Sequence, residues 1–149
     1  MPERHPELAF FNALSARLEI ELSEPPEILG TLATKQASPT ATIESLRLVT
    51  EVYERIRGVF RPLTPAELHS LAFRAPTITL RGEAQVDVEH RAQDGQAFTV
   101  GELLRAVEDT ERQTRARSEW LGGVDVRHCY FEGIYPSRDG PAWQIHWGS

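Results

Sequence analysis

From residue 6 to residue 22 the chain reads PELAFFNALSARLEIEL, and Leu8, Phe11, Leu14, Leu18 and Leu22 recur at steps of three and four. That is the spacing of one helical face, and Pro6 suits a first helical turn, so a helix is expected over 6–22. The segment LEIEL also alternates, which leaves a strand open for the last turn. Pro25, Pro26, Gly30 and Pro39 then mark 23–41 as a proline-rich connector, because proline withholds the amide donor that a helix or sheet interior needs. Over 42–60 the stripe of Ile43, Leu46, Val49, Tyr53, Ile56 and Phe60 predicts a second helix, with Arg47, Glu51 and Arg55 spaced for exposed ion pairs. Thr64, Pro65 and Glu67 form a capping box that opens a short helix carrying Leu68 and Leu71.

After Pro76 the period falls to two. TITL at 77–80 and AQVDVEH at 84–90 alternate, with Gly82 between them, and read as two strands. Asp94-Gly95 is a turn. Thr99 and Glu102 form a second capping box, opening a long helix to about Leu121 whose stripe begins Val100, Leu103, Leu104, Val107 and continues Thr110, Thr114, Ser118. The polar end of that stripe suggests shallower packing, or a small-ligand pocket beside Thr110, Thr114 and Ser118. Gly122-Gly123 stops the helix. Strands at 124–132 and 142–147, joined by a loop with turn signals at Pro136 and Asp139-Gly140, close the chain as a hairpin. The expectation is one domain over 1–149 of α+β class. It has a helical part at 1–62 and a sheet-and-helix part at 76–149, with a small mostly antiparallel sheet in β-β-α-β-β order under one long helix.

Composition narrows the functional classes. With 149 residues, 40% hydrophobic and 26% charged, the chain can bury a core without staples. One cysteine excludes an internal disulfide, no apolar run spans a bilayer, and the N-terminus is unlike a signal peptide, so a cytoplasmic protein is expected. A net charge of −6 without a basic run disfavours nucleic acid as partner, and the single lysine, Lys35, removes phosphate-loop and Schiff-base chemistry.

The FTVGELLRAV helix start and the RHCYFEGI hairpin strand resemble a family of uncharacterised fungal domains of unknown function sharing a Thr-Val-x-Asp/Glu-x-Leu helix start. The resemblance covers the C-terminal half and implies no activity. The strand-strand-helix-strand order also looks like a β-grasp arrangement, as in ubiquitin and small sulfur carriers. Those carriers end in Gly-Gly, whereas this chain ends Trp147-Gly148-Ser149 after a strand, which argues against a carrier role.

The chemistry-bearing residues cluster in VDVRHCYFEGI. Strand parity would put Val124, Val126, His128 and Tyr130 with Trp143 and Trp147 on the core side. Asp125, Arg127, Cys129 and Phe131 would then face His146. Cys129, His146 and Asp125 together suggest a thiol nucleophile, its base and an orienting carboxylate, or a thiol- and imidazole-bearing metal site. Against this, a lone cysteine is most often a small buried hydrophobe, and neither metal-ligand spacing nor an oxyanion hole is evident. The first expectation is therefore a non-enzymatic protein-interaction module or assembly subunit without cofactor or metal. It would bind a protein partner, or itself through the N-terminal helix, using Leu8, Phe11, Leu14, Leu18, Trp143 and Trp147. The alternative is a small thiol- or metal-dependent enzyme centred on Cys129 and His146.

Overall fold

The computed structural model describes residues 5–22, 43–117 and 126–149. Strand outweighs helix there by 44% to 22%, and only one helix reaches seven residues, which overturns the expected arrangement of helices beside a small sheet. In chain order the elements are α1 Leu8–Asn12, β1 Ser15–Leu22, β2 Ile43–Glu54, β3 Val59–Arg61, α2 Pro65–Leu68 and β4 Leu71–Phe73. They continue with β5 Thr77–Arg81, β6 Asp87–Arg91, β7 Phe98–Thr99, α3 Val100–Thr114, β8 Tyr130–Pro136 and β9 Trp143–Gly148. Seven strands form one sheet in the order β3-β2-β1-β8-β9-β5-β6, and β4 pairs with β7 in a separate ribbon.

β5 and β9 run parallel at the junction of two antiparallel hairpins, with α3 lying between them in the chain. β1, β2 and β3 extend the sheet beyond β8, in the half where helices were expected.

The two helix expectations failed for one physical reason. A step of four residues is a multiple of the strand period as well as close to the helical one. Leu14, Leu18 and Leu22 therefore satisfy both, and the residues between them decide. Ala16 and Leu18 are buried while Ser15, Arg17 and Glu21 are exposed, so β1 alternates, and only Leu8–Asn12 is helical. In β2 the inward set is Leu46, Leu48, Thr50 and Val52, and the supposed helical stripe is split between faces: Leu46 is buried but Tyr53 and Phe60 are exposed. Arg47 accordingly pairs with Glu19 across the β1–β2 ladder rather than with Glu51 along a helix. Both capping boxes formed, at Thr64 with Glu67 and at Thr99 with Glu102. Leu71, expected to continue the first of these helices, lies in β4 instead.

The last hairpin is shifted. β8 starts at Tyr130 rather than 124 and runs through residues expected to be loop. A bulge at Gly133, whose φ is +103°, makes this possible, because a one-residue insertion changes which side chains face inward. Phe131 and Ile134 both point to the core as a result. Asn12, at the end of α1, accepts from the Ile134 amide at 2.9 Å and donates to the Ile134 carbonyl at 3.1 Å, pairing the backbone of the bulge.

α3 and α1 pack on one face of the sheet. Val100, Leu103 and Val107 of α3 are fully buried there with Leu80, Ile134 and Ile145. Phe11 sets its ring edge-on to Phe131 at 5.4 Å, and Phe131 meets Trp147 at 5.8 Å. Each such large side chain, fully removed from water, is worth about 1.5–3 kcal/mol. Among the described residues no element packs over the opposite, outer face.

Candidate functional site

Sequence parity had placed Cys129 with His146, and the structure separates them. Cys129 is buried on the inner side beside Phe131, and its carbonyl accepts from the Leu18 amide at 2.9 Å. His146 lies on the outer face, exposed, with its ring edge-on to Tyr135 at 5.2 Å. Asp125 and Val124 lie outside the described residues, as do Ser118, Trp120 and the whole 23–41 connector. The ladder explains the reversal: Phe131 pairs with Trp147 and both face the core, so the side carrying Cys129 and Phe131 is the inner one, and Tyr130 and Val126, expected in the core, are about half exposed. Among the described residues no three His, Cys, Asp or Glu side chains converge as metal ligands. His128 turns its Nδ1 to within 4.0 Å of Glu83 Oε2.

The proposed contact residues are also elsewhere than expected. Leu8, Phe11, Leu14, Leu18 and Trp147 are buried in the chain's own core. Trp143 is half-buried against Phe73 and His5. None of them offers a free apolar surface, so self-association through the apolar face of the N-terminal helix has no surface to use.

The Thr110 and Thr114 segment is not shallow. Both are buried, and their hydroxyls donate to the carbonyls four residues back, at 2.8 and 2.7 Å. Beside them Glu111 and Arg115 are completely buried and 2.6 Å apart. Glu111 also accepts from Trp147 Nε1 at 2.9 Å and from the Glu83 amide at 3.0 Å, while Arg115 donates to the His128 carbonyl at 2.9 Å. Gly82 makes room for this carboxylate, since a Cβ there would stand 2.3 Å from Glu111 Oε2. A carboxylate enclosed and hydrogen-bonded on both oxygens holds the sheet, α3 and the β5–β6 turn together, and it has no opening to a substrate. The sequence did carry a signal: Val107, Glu111 and Thr114 keep the i, i+4, i+7 spacing of the buried stripe.

The features open to solvent lie on the outer face and at its end. β2 and β3 form an arm whose four-residue turn, Arg55 to Gly58, is closed by a hydrogen bond from the Gly58 amide to the Glu54 carbonyl at 2.7 Å. Gly58 takes φ of +66°, a conformation that a side chain would strain. Ile56 stands fully exposed at the apex, and Tyr53 and Phe60, each about half exposed, lie against each other at 5.0 Å on the outer face. The arm is anchored at its root. Arg61 donates to both carboxylate oxygens of Glu67, at 2.7 and 2.8 Å, and to Glu54 at 2.8 Å. Arg61 and the Thr64 amide hold the Glu67 carboxyl down to about 2. Further along the same face Arg47 and Arg17 both bond Glu19 and keep its carboxyl below the usual range. Tyr130 sits opposite Arg17.

The sequence reading missed this surface because its residues had been assigned to the stripe of a helix. Compared with protein-family models, curated proteins and solved structures, the chain finds no match, so the reading of this surface rests on its geometry.

Proposed function

We propose that this chain is a non-enzymatic protein-interaction module that presents the β2–β3 arm and the adjoining outer sheet face to a partner protein. The observation that carries the reading is the arm itself: an isoleucine wholly in water at the apex of an anchored hairpin, beside a half-exposed Tyr53–Phe60 ring pair. Apolar groups gathered on a rigid projection are what an interface core requires, with aromatic and arginine residues as its usual anchors. Arg55 and Arg57 flank Ile56, so the matching surface is an apolar cleft with an acidic rim. A second copy fits less well, because an isologous contact would bring the same two arginines of each copy together. The enzymatic alternative lost its support when Cys129 and His146 came to lie on opposite faces.

Among the described residues no helix is long and apolar enough to cross a membrane. A cytoplasmic location is part of the proposal and is supported by the lone, buried cysteine.

A photo-cross-linking residue placed at position 56 tests this in the source cells. One discrete product is expected, lost with R55E/R57E and unchanged when Gln113 on α3 is altered. With the purified partner, I56E should cost about 2 kcal/mol or more of binding, the scale of an interface anchor. Binding unaffected by I56E, or a product consisting only of a second copy of this chain, would overturn the reading.

A further inference from the structure

A groove of about 500 Å³ lies between the edge of β2, α2 and the first turns of α3. It is remote in character from the arm: its floor is apolar, made by Leu48, Leu68, Leu104 and Pro65, and its walls carry charge. Its volume is in the range of sites that bury a ligand.

Two features of the groove point to what it takes. The first is a strand edge. The Leu48 amide donates to Glu108 Oε2 at 2.8 Å and the Leu46 carbonyl accepts from Arg112 at 3.0 Å, so these peptide groups face away from β1. The Leu18 amide, opposite Leu48, is likewise turned away toward Cys129. By the two-residue period of a strand, Thr50 turns its N–H and C=O to the same side, and Thr50 lines the groove. β3 takes this edge only from Val52 onward.

The second feature is the balance of committed charge. Glu102 accepts from the Thr99 amide at 3.0 Å and the Gln93 amide at 2.8 Å. Glu108 accepts from Leu48 and, at 3.0 Å, from Arg112. All four carboxylate oxygens are occupied. Arg105 is exposed on the wall, and among the described residues its guanidinium has no hydrogen bond or ion pair. The uncommitted charge in the groove is cationic.

We infer that this groove binds the C-terminal segment of another polypeptide, laid extended beside Thr50, with an apolar last side chain on the leucine floor and its terminal carboxylate on Arg105. A strand edge gives an extended peptide its backbone hydrogen bonds, an apolar floor selects the side chain, and arginine matches a carboxylate fork to fork. The site is separate from the arm and does not depend on the function proposed for it.

The test uses the whole protein and a pool of hexapeptides randomised over the last four positions and tethered by their N-termini, in free-acid and C-terminally amidated forms. Free-acid peptides with an apolar last residue should be enriched, amidation should weaken the selected sequences at least tenfold, and their binding should move the amide resonances of Leu48 and Thr50. R105Q should lose as much as amidation does while unfolding at the same denaturant midpoint, and I56E should bind the peptides unchanged. No enrichment, equal binding of acid and amide, or R105Q binding like the original chain would overturn the inference. So would N-acetylleucine binding as tightly as the peptides, which would make the occupant a small apolar acid.

Discussion

Two regions of this molecule invert the usual partition between water and core, and they do so in opposite senses. At the end of α3, Glu111 and Arg115 carry charge into the core. At the tip of the β2–β3 arm, Ile56, Tyr53 and Phe60 carry apolar surface into water. In the first region Glu111 is met on both oxygens by Arg115, Trp147 and the Glu83 amide, so the desolvation cost is offset within the chain. In the second, nothing among the described residues covers Ile56. The lesson is that an inversion compensated internally belongs to the fold, whereas one left uncompensated points to a partner.

The largest expected effect tests the first half of that contrast. Glu111→Ala removes the buried carboxylate that Arg115 bonds at 2.6 Å and leaves the Trp147 and Glu83 donors unmet, and should destabilise by about 3–5 kcal/mol, read from the denaturant midpoint. The double change E111L/R115M, which removes both charges and refills the volume, should recover most of that loss. If the single and double variants were equally destabilised, lost packing rather than the broken ion pair would be the cause.

Gly82→Ala comes next. The added methyl would sit 2.3 Å from Glu111 Oε2, so the carboxylate must leave its partners or the turn must move. A loss of about 1–3 kcal/mol is expected, and it should largely disappear in the E111L/R115M background, where the two sites share one contact.

At the arm, I56E and the pair Y53S/F60S should change stability by no more than about 0.5 kcal/mol each, because exposed positions contribute little to folding, while abolishing the partner contact. A large stability loss would show that the arm packs against something in the free chain, and the contrast between the regions would fail.

The smallest effect is a pH dependence at His90, which donates through Nε2 to the Thr110 hydroxyl at 2.7 Å at the border of the buried segment. Burial lowers its pKa, partly offset by Asp109, from an ordinary value of 6.5. Above that value the imidazole is neutral in both folded and unfolded chains and contributes no pH dependence. Below it the unfolded chain takes up the proton first, so stability declines as pH falls, and the decline from this group ends once the folded-state pKa is passed. Unfolding midpoints at pH 7.5 and 5.5 should differ less in His90→Asn than in the original chain.

How far the sequence could be read depended on whether a signal was local. The capping boxes at Thr64 and Thr99 were legible because each is a reciprocal pair of hydrogen bonds within four residues. The Asp94 turn was legible because its carboxylate bonds the amides of Gln96 and Ala97 directly. The β5 and β6 strands were legible because no helical spacing competes with their alternation. The candidate site was hardly legible at all. Cys129 and His146 were grouped by taking the face of Val124, Val126 and Tyr130 as the inner one, whereas Phe131 is the residue that pairs with Trp147 in the core, and the arm was hidden in a stripe that mixed residues of two faces.

By itself, then, the sequence determined the start of α3, the short capped helix at 65 and the strands at 77–81 and 87–91, while the expected strand start at Ala84 is a turn in which Gln85 takes φ of +62°. These elements follow from period and capping, which act within a few residues. Only the tertiary structure decided that 15–22 and 43–54 are strands, which faces they show, and that Glu111 is inside and Ile56 outside. A strand is completed by hydrogen bonds to a neighbour distant in the chain, and β1 finds β2 on one side and β8 on the other. Where the steps along the chain suit helix and strand alike, that remote partner settles the choice.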